Sequence, residues 1–261
     1  MTAALFGFSG GNTSTHIPMV APYTNVYLIA AFPSVDLTPV VQAVGQAGMN
    51  PVVALGPIVQ SSSTGKRLTN WSARLDRWKA AQSSTDGIFA FYLPDEPYHN
   101  GWTGTQLKAV SARVKVLWPS KAQWLIDAYT VVRLLGTSTK PIPTAVTMVG
   151  WDRYATLDPD TDPEYNADYS ALVSHAGGRG IILVGESQWI QYYTVAGYTP
   201  DAMGPIFDGY RKVAQRPNVS VLMMYAWAND FEYPGYIGAE GLPQAVRDKY
   251  VTGGKTITGK P

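Results

Sequence analysis

Eight short, almost unbroken apolar runs recur along the chain, most of them followed by a stretch of helical periodicity. They span 5–9, 25–32, 51–58, 87–93, 122–129, 145–151, 180–185 and 219–226. A strand covered on one face alternates apolar and polar residues. These runs mostly do not, which is the pattern of parallel strands covered on both faces. Helices are predicted over 40–49, 74–81, 103–117, 163–176, 199–214 and 241–250, and weaker helical patterns lie in 10–23 and 131–143. Asp36-Leu-Thr-Pro leads into the first helix, and Thr199-Pro-Asp reads as an N-cap followed by proline. Pro119 and Pro217 close two others. Eight such units in about 250 residues is the arithmetic of a (β/α)8 TIM barrel. An open doubly wound sheet obeys the same crossover rule, but the glycine-rich phosphate turn of its dinucleotide-binding form is missing after the first run. The reading is therefore α/β, one barrel domain over 1–251, with the polar, Gly-rich 252–261 as a flexible tail.

Composition narrows what such a barrel acts on. Lys plus Arg is 20 and Asp plus Glu is 19, leaving a net charge of +1. That balance lacks the basic footprint of a nucleic-acid binder. Only 15% of residues are charged while 8 Trp and 16 Tyr raise aromatics to 12%, which suits an uncharged, ring-shaped ligand. There is no cysteine, so disulfides, thiol nucleophiles and iron–sulfur clusters are excluded. No apolar run approaches the roughly 20 residues of a membrane span. No signal peptide is visible at Met-Thr-Ala-Ala-Leu-Phe-Gly. A secreted or extracellular protein whose leader has been trimmed, or a phage-borne enzyme released by another route, fits this composition.

In a barrel the working face lies at the carboxyl ends of the strands. The fourth run ends Phe91-Tyr92-Leu93-Pro94-Asp95-Glu96, and the fifth Ile126-Asp127-Ala128-Tyr129. The sixth ends Gly150-Trp151-Asp152-Arg153-Tyr154, the seventh Val184-Gly185-Glu186-Ser187-Gln188-Trp189, and the eighth Tyr225-Ala226-Trp227. Acids and aromatics gather at these ends and lysines avoid them. Glutamate is a poor N-cap, so Glu96 and Glu186 are not explained by helix capping, whereas Asp127 and Asp152 fit capping and function equally. Two carboxyls across a dry cleft can cleave a glycosidic bond: one protonates the departing oxygen, and the other attacks the anomeric carbon or activates water. No metal or other cofactor is needed. Faces of Trp151, Trp189 and Trp227 would stack on sugar rings, and His99, three residues past Glu96, is a further candidate for substrate contact.

This arrangement resembles the retaining glycoside hydrolases of the clan A type, the 4/7 barrels. The resemblance covers the whole chain as architecture and a handful of residues as motif. It implies Glu96 as acid/base and Glu186 as nucleophile, with Tyr154 and Trp227 lining the sugar subsite. Asp95, Asp127, Asp152 and Tyr225 would hold hydroxyls or tune Glu96. The clan usually places Asn before the acid/base Glu; here Asp95 stands there, which leaves Asp95 as an alternative proton donor. The expectation is an endo-acting, retaining glycosidase, a monomer binding a polysaccharide or oligosaccharide, with a bacterial cell-wall glycan as one candidate. An inverting enzyme using Asp95 or Glu96 as acid and Asp127 or Asp152 as base is the nearest rival. A silent carbohydrate-binding barrel, such as a surface adhesin, is the rival of another class.

Other signals are weaker. Gly7-Phe8-Ser9-Gly10-Gly11 matches a nucleophile elbow but precedes no helix and no oxyanion loop. A glycine-rich strand end that lets ligand approach the backbone is the better reading. Asp158-Pro-Asp160-Thr-Asp162-Pro-Glu164 begins like a calcium loop but has Pro163 where the EF-hand needs glycine. His16, His99 and His175 have no metal-binding spacing.

Overall fold

A computed structural model describes residues 3–9, 15–229 and 235–261. Its strands are β1 Leu5–Ser9, β2 Val26–Ala30, β3 Asn50–Ala54, β4 Ala90–Tyr92, β5 Ala122–Ala128, β6 Met148–Asp152, β7 Gly180–Glu186 and β8 Val219–Tyr225. All pair in parallel with their sequence neighbours, and β8 returns to β1, closing a (β/α)8 barrel. The helices are α1 His16–Val20, α2 Thr38–Gln46, α3 Gly56–Val59, α4 Trp71–Ala80, α5 Gly104–Leu117, α6 Tyr129–Val132, α7 Pro163–His175, α8 Gln191–Val195, α9 Met203–Val213 and α10 Gln244–Thr258.

Local chemistry sets several boundaries. The run 51–58 stops as a strand at Ala54, because Gly56-Pro57 opens α3 with proline in its first turn. α5 begins at a capping box in which Thr103 and Gln106 each accept from the other's backbone N–H. The Asp162 carboxylate caps α7. The expected loose tail is not one: α10 continues through Thr258. A Cβ on Gly254 would meet the Tyr23 carbonyl at 2.5 Å and the Phe6 ring at 2.8 Å. Here glycine is a close-packing residue rather than a sign of disorder.

Two apolar layers follow from the pleat. Side chains such as Phe91, Leu125, Val149, Leu183 and Leu222 point outward under the helices. Val26, Val52, Ala90, Trp124, Ile182 and Val221 point inward and fill the barrel. Toward the carboxyl end the filling stops. Inward positions on the first three strands carry Ser9, Ala30 and Ala54, while later strands carry Tyr92, Asp152 and Tyr225. Small residues facing large ones leave an open cavity of about 370 Å³ at the mouth.

Candidate active site

The cavity is walled by Tyr92, Tyr154 and Tyr225, floored by Ile126, Val184 and Met223, and bears three carboxyl groups, Asp95, Glu96 and Asp152. Tyr92 and Asp152 come directly from the inward alternation of β4 and β6. Asp95 and Glu96 come from the turn after β4. That turn is clamped to α3, because the Gln60 side chain donates to the Asp95 carbonyl at 2.9 Å and accepts from the Asp95 N–H at 2.9 Å. The buried Tyr92 hydroxyl donates to the Asp95 carboxylate. Glu96 sits at φ +43°, in the left-handed region. Glycine would occupy that conformation without strain, so a glutamate there points to a role for its side chain.

Asp152 lies within hydrogen-bonding reach of Glu96. Burial holds the Asp152 carboxyl well above its ordinary range, and the charges of Glu96, Asp95 and Asp127 add to the effect. Asp152 therefore retains its proton at pH values where an isolated carboxyl has lost it.

Asp127, Glu186 and the tryptophans are placed differently from the sequence expectation. Asp127 is fully buried and does not line the cavity. Its carboxylate accepts from the backbone N–H groups of Tyr98 at 2.8 Å, His99 at 3.0 Å and Ala128 at 3.0 Å. It fastens the turn that carries Glu96. Burial pushes its pKa up to about 6 against those three hydrogen bonds. Asp127→Ala strands buried donors, so a loss of about 1–3 kcal/mol is expected in urea melts at pH 5, where the native carboxyl is mostly protonated.

Trp151 is fully buried on the outward side of β6, against Tyr165 and Tyr169. Trp189 stacks on Tyr193 at 5.0 Å, and Trp227 packs edge-on against Phe8 at 5.0 Å. Strand parity explains Trp151: one step from an inward Asp152 is an outward residue. The aromatic walls are instead tyrosines, of which Tyr92 and the supporting Gln60 escaped sequence reading. Counting parity along β4 from Ala90 would have found Tyr92. His99 is exposed, its ring nitrogen 2.8 Å from the Thr130 hydroxyl, and it is not part of the cavity wall.

Glu186 is fully buried and does not line the cavity. Its Oε2 accepts from the Ala155 N–H at 2.8 Å and from the Tyr193 hydroxyl. Tyr154, a wall of the cavity, feels the charges of both Asp152 and Glu186. Burial pushes the Glu186 pKa up to about 7, opposed by the hydrogen bonds from Tyr193, Ala155 and Gln188. The structure thus brings Glu96 together with Asp152 and Asp95, and leaves Glu186 buried outside the cavity lining.

Of the weaker motifs, Ser9 lines the cavity, while Gly10 and Gly11 fall outside the described residues. The acidic loop is internally satisfied: Asp158 accepts from Thr161, Asp162 caps α7, and Asp160 pairs with Arg216 at 2.9 Å. Among the described residues no helix is long and apolar enough to cross a membrane.

No family model matches the chain, and no curated protein matches it by sequence. Solved structures do match it. A glucosidase from Croceicoccus marinus superposes with a TM-score of 0.65 at 12% identity, over 98% of this chain and 67% of that one. A thermostable mutant of a xylanase from Cellvibrio japonicus gives 0.61 at 11% identity, over 98% and 97%. A β-glucuronidase from Ruminococcus gnavus gives 0.64 at 9%, over 96% of this chain and 49% of that one. At these identities the likeness is one of fold.

Proposed function

We propose that this chain is a glycoside hydrolase that cleaves O-glycosidic bonds of a polysaccharide or oligosaccharide. The observation that carries the reading is the gathering of three carboxyls, Asp95, Glu96 and Asp152, in an open cavity walled by tyrosines, where burial holds the Asp152 carboxyl neutral. A departing sugar oxygen needs a proton as its bond breaks, and a carboxyl kept protonated near neutral pH supplies one. Tyrosine faces suit the C–H faces of a pyranose, and the carboxylates suit its hydroxyls. The likeness to clan A barrels supports the same reading by analogy.

The second carboxylate in this proposal is Glu186, acting as nucleophile in a retaining double displacement. Val184 lines the cavity, and the alternation of β7 carries the same face upward to Glu186. Reaching a sugar requires the packing that buries Glu186 to open when substrate binds. Retaining enzymes need about 5–5.5 Å between their two carboxyls, so Asp152, in contact with Glu96, serves the acid rather than opposing it. Inversion would use a water held by Asp95, which the Tyr92 hydroxyl keeps oriented toward the cavity.

Product stereochemistry separates the two. Neutral polymers and bacterial cell-wall glycans are incubated with the protein, and the first-formed anomer is read by proton NMR. Retention, with azide restoring turnover to Glu186→Gly and giving an inverted azide sugar, is the expected result. A product of inverted configuration removes Glu186 from the chemistry. Stoichiometric saccharide binding without any product overturns the enzyme reading in favour of a carbohydrate-binding barrel. Endo action and an extracellular site of work belong to the same proposal, since polymers are met outside cells.

A further inference from the structure

Beside the cavity, and sharing Gly56, Pro57, Asp95 and Glu96 with it, runs a groove of about 610 Å³ between the segments after β2, β3 and β4. Phe32 forms one wall with 44% of its surface exposed, unusual for a large apolar side chain next to a polar trench. The opposite wall is the hydroxyl run Ser61, Ser62, Ser63 and Thr64. This wall is rigid. Ser61 N–H donates to the Lys66 carbonyl at 2.9 Å, and the Trp102 indole donates to the Gly65 carbonyl at 2.8 Å. The lining contains no cation, and its two charges are the carboxyls at the junction with the cavity.

Resting on the glycosidase reading above, we infer that this groove holds the sugar units on the far side of the scissile bond from the cavity, and that the chain it takes is neutral. Glu96 borders both spaces, so a bond protonated by Glu96 lies at their junction, with one ring in the cavity and the next in the groove. An aromatic side chain and a row of hydroxyls lining one groove match a pyranose, which is apolar on its ring faces and polar at its rim. A uronic acid or phosphate-bearing chain would place its charges against Asp95 and Glu96 with nothing to neutralise them. The groove therefore selects for chain length and against anionic polymers.

The test compares wild type, Phe32→Ala and the remote control Val116→Ser on xylo-, cello- and chito-oligosaccharides of two to six units, and on oligogalacturonate. Cleavage gives kcat/KM, and calorimetry in a Glu96→Gln background gives Kd. The expected result is that the loss in Phe32→Ala grows with chain length to about tenfold on the longest neutral chain, while the control matches wild type and oligogalacturonate is ignored. An equal loss at every length, no loss at any length, or preference for oligogalacturonate overturns the inference. Phe32-dependent binding of long chains with no cleavage keeps the groove and rejects the glycosidase reading. Cleavage indifferent to chain length does the reverse, and neither binding nor cleavage of any probe rejects both.

Discussion

Glu96→Gln lowers kcat/KM on the cleaved glycan by about 10²–10⁴-fold, the range that a positioned general acid contributes. The amide keeps the shape and hydrogen-bonding reach of the side chain, so the fold and saccharide affinity persist while the transferable proton is gone. The loss is smaller on an aryl glycoside whose phenolate departs without protonation, because that substrate never needed the acid. Asp152→Asn produces a second signature. Burial and the neighbouring charge of Glu96 hold the Asp152 carboxyl in its neutral form. Replacing it by an amide removes the proton that the cavity retains above the ordinary carboxyl range, so the basic limb of the pH–rate profile moves to lower pH. Undiminished turnover in Glu96→Gln, or an unmoved basic limb in Asp152→Asn, refutes the assignment of the pair.

Stability should fall as pH rises from about 4.5 toward 7, and Glu186, with Asp152 acting in the same direction, is one reason. Its carboxyl goes from an ordinary value of 4.5 in the unfolded chain to about 7 in the fold, mainly because it is buried. The folded state therefore binds the proton more tightly. Its stabilising effect is complete below pH 4.5 and disappears as pH climbs through 7. The shift corresponds to a term on the order of 3 kcal/mol. For a chain of this size that is roughly 6–12 °C in melting temperature. Glu186→Gln has no proton to lose at this site, so its melting temperature changes less between pH 5 and pH 8 than wild type's. Asp127, raised to about 6, adds a smaller slope of the same sign over a slightly more acid window. Parallel wild-type and Glu186→Gln curves across that interval would show that Glu186 is solvated or already ionised in the fold.

Eight unbroken apolar runs were enough to specify a closed parallel barrel, because a strand covered on both faces has no polar side to show and few other folds supply eight such places. The same reasoning put the acids at strand ends and drew attention to Glu96. The tryptophans misled, since indole is equally at home against a sugar or inside a helix–strand interface. Trp151, Trp189 and Trp227 all took the second option. The tail misled for a similar reason: glycine marks both loose chain and tight contact, and Gly253 and Gly254 lie buried in α10.

The order of residues along the chain determined the barrel and the elements whose ends carry acidic side chains. Which acids meet was decided only in three dimensions. Contact between Glu96 and Asp152 joins residues far apart in sequence, and depends on strand parity, the left-handed turn at Glu96 and the clamp from Gln60. The cavity exists because the small residues Ser9, Ala30 and Ala54 from three different strands meet at one mouth beside larger neighbours. Local periodicity reports which way a side chain turns from its own strand. It carries no information about the height at which that strand sits beside its neighbours, and that register is what makes a site.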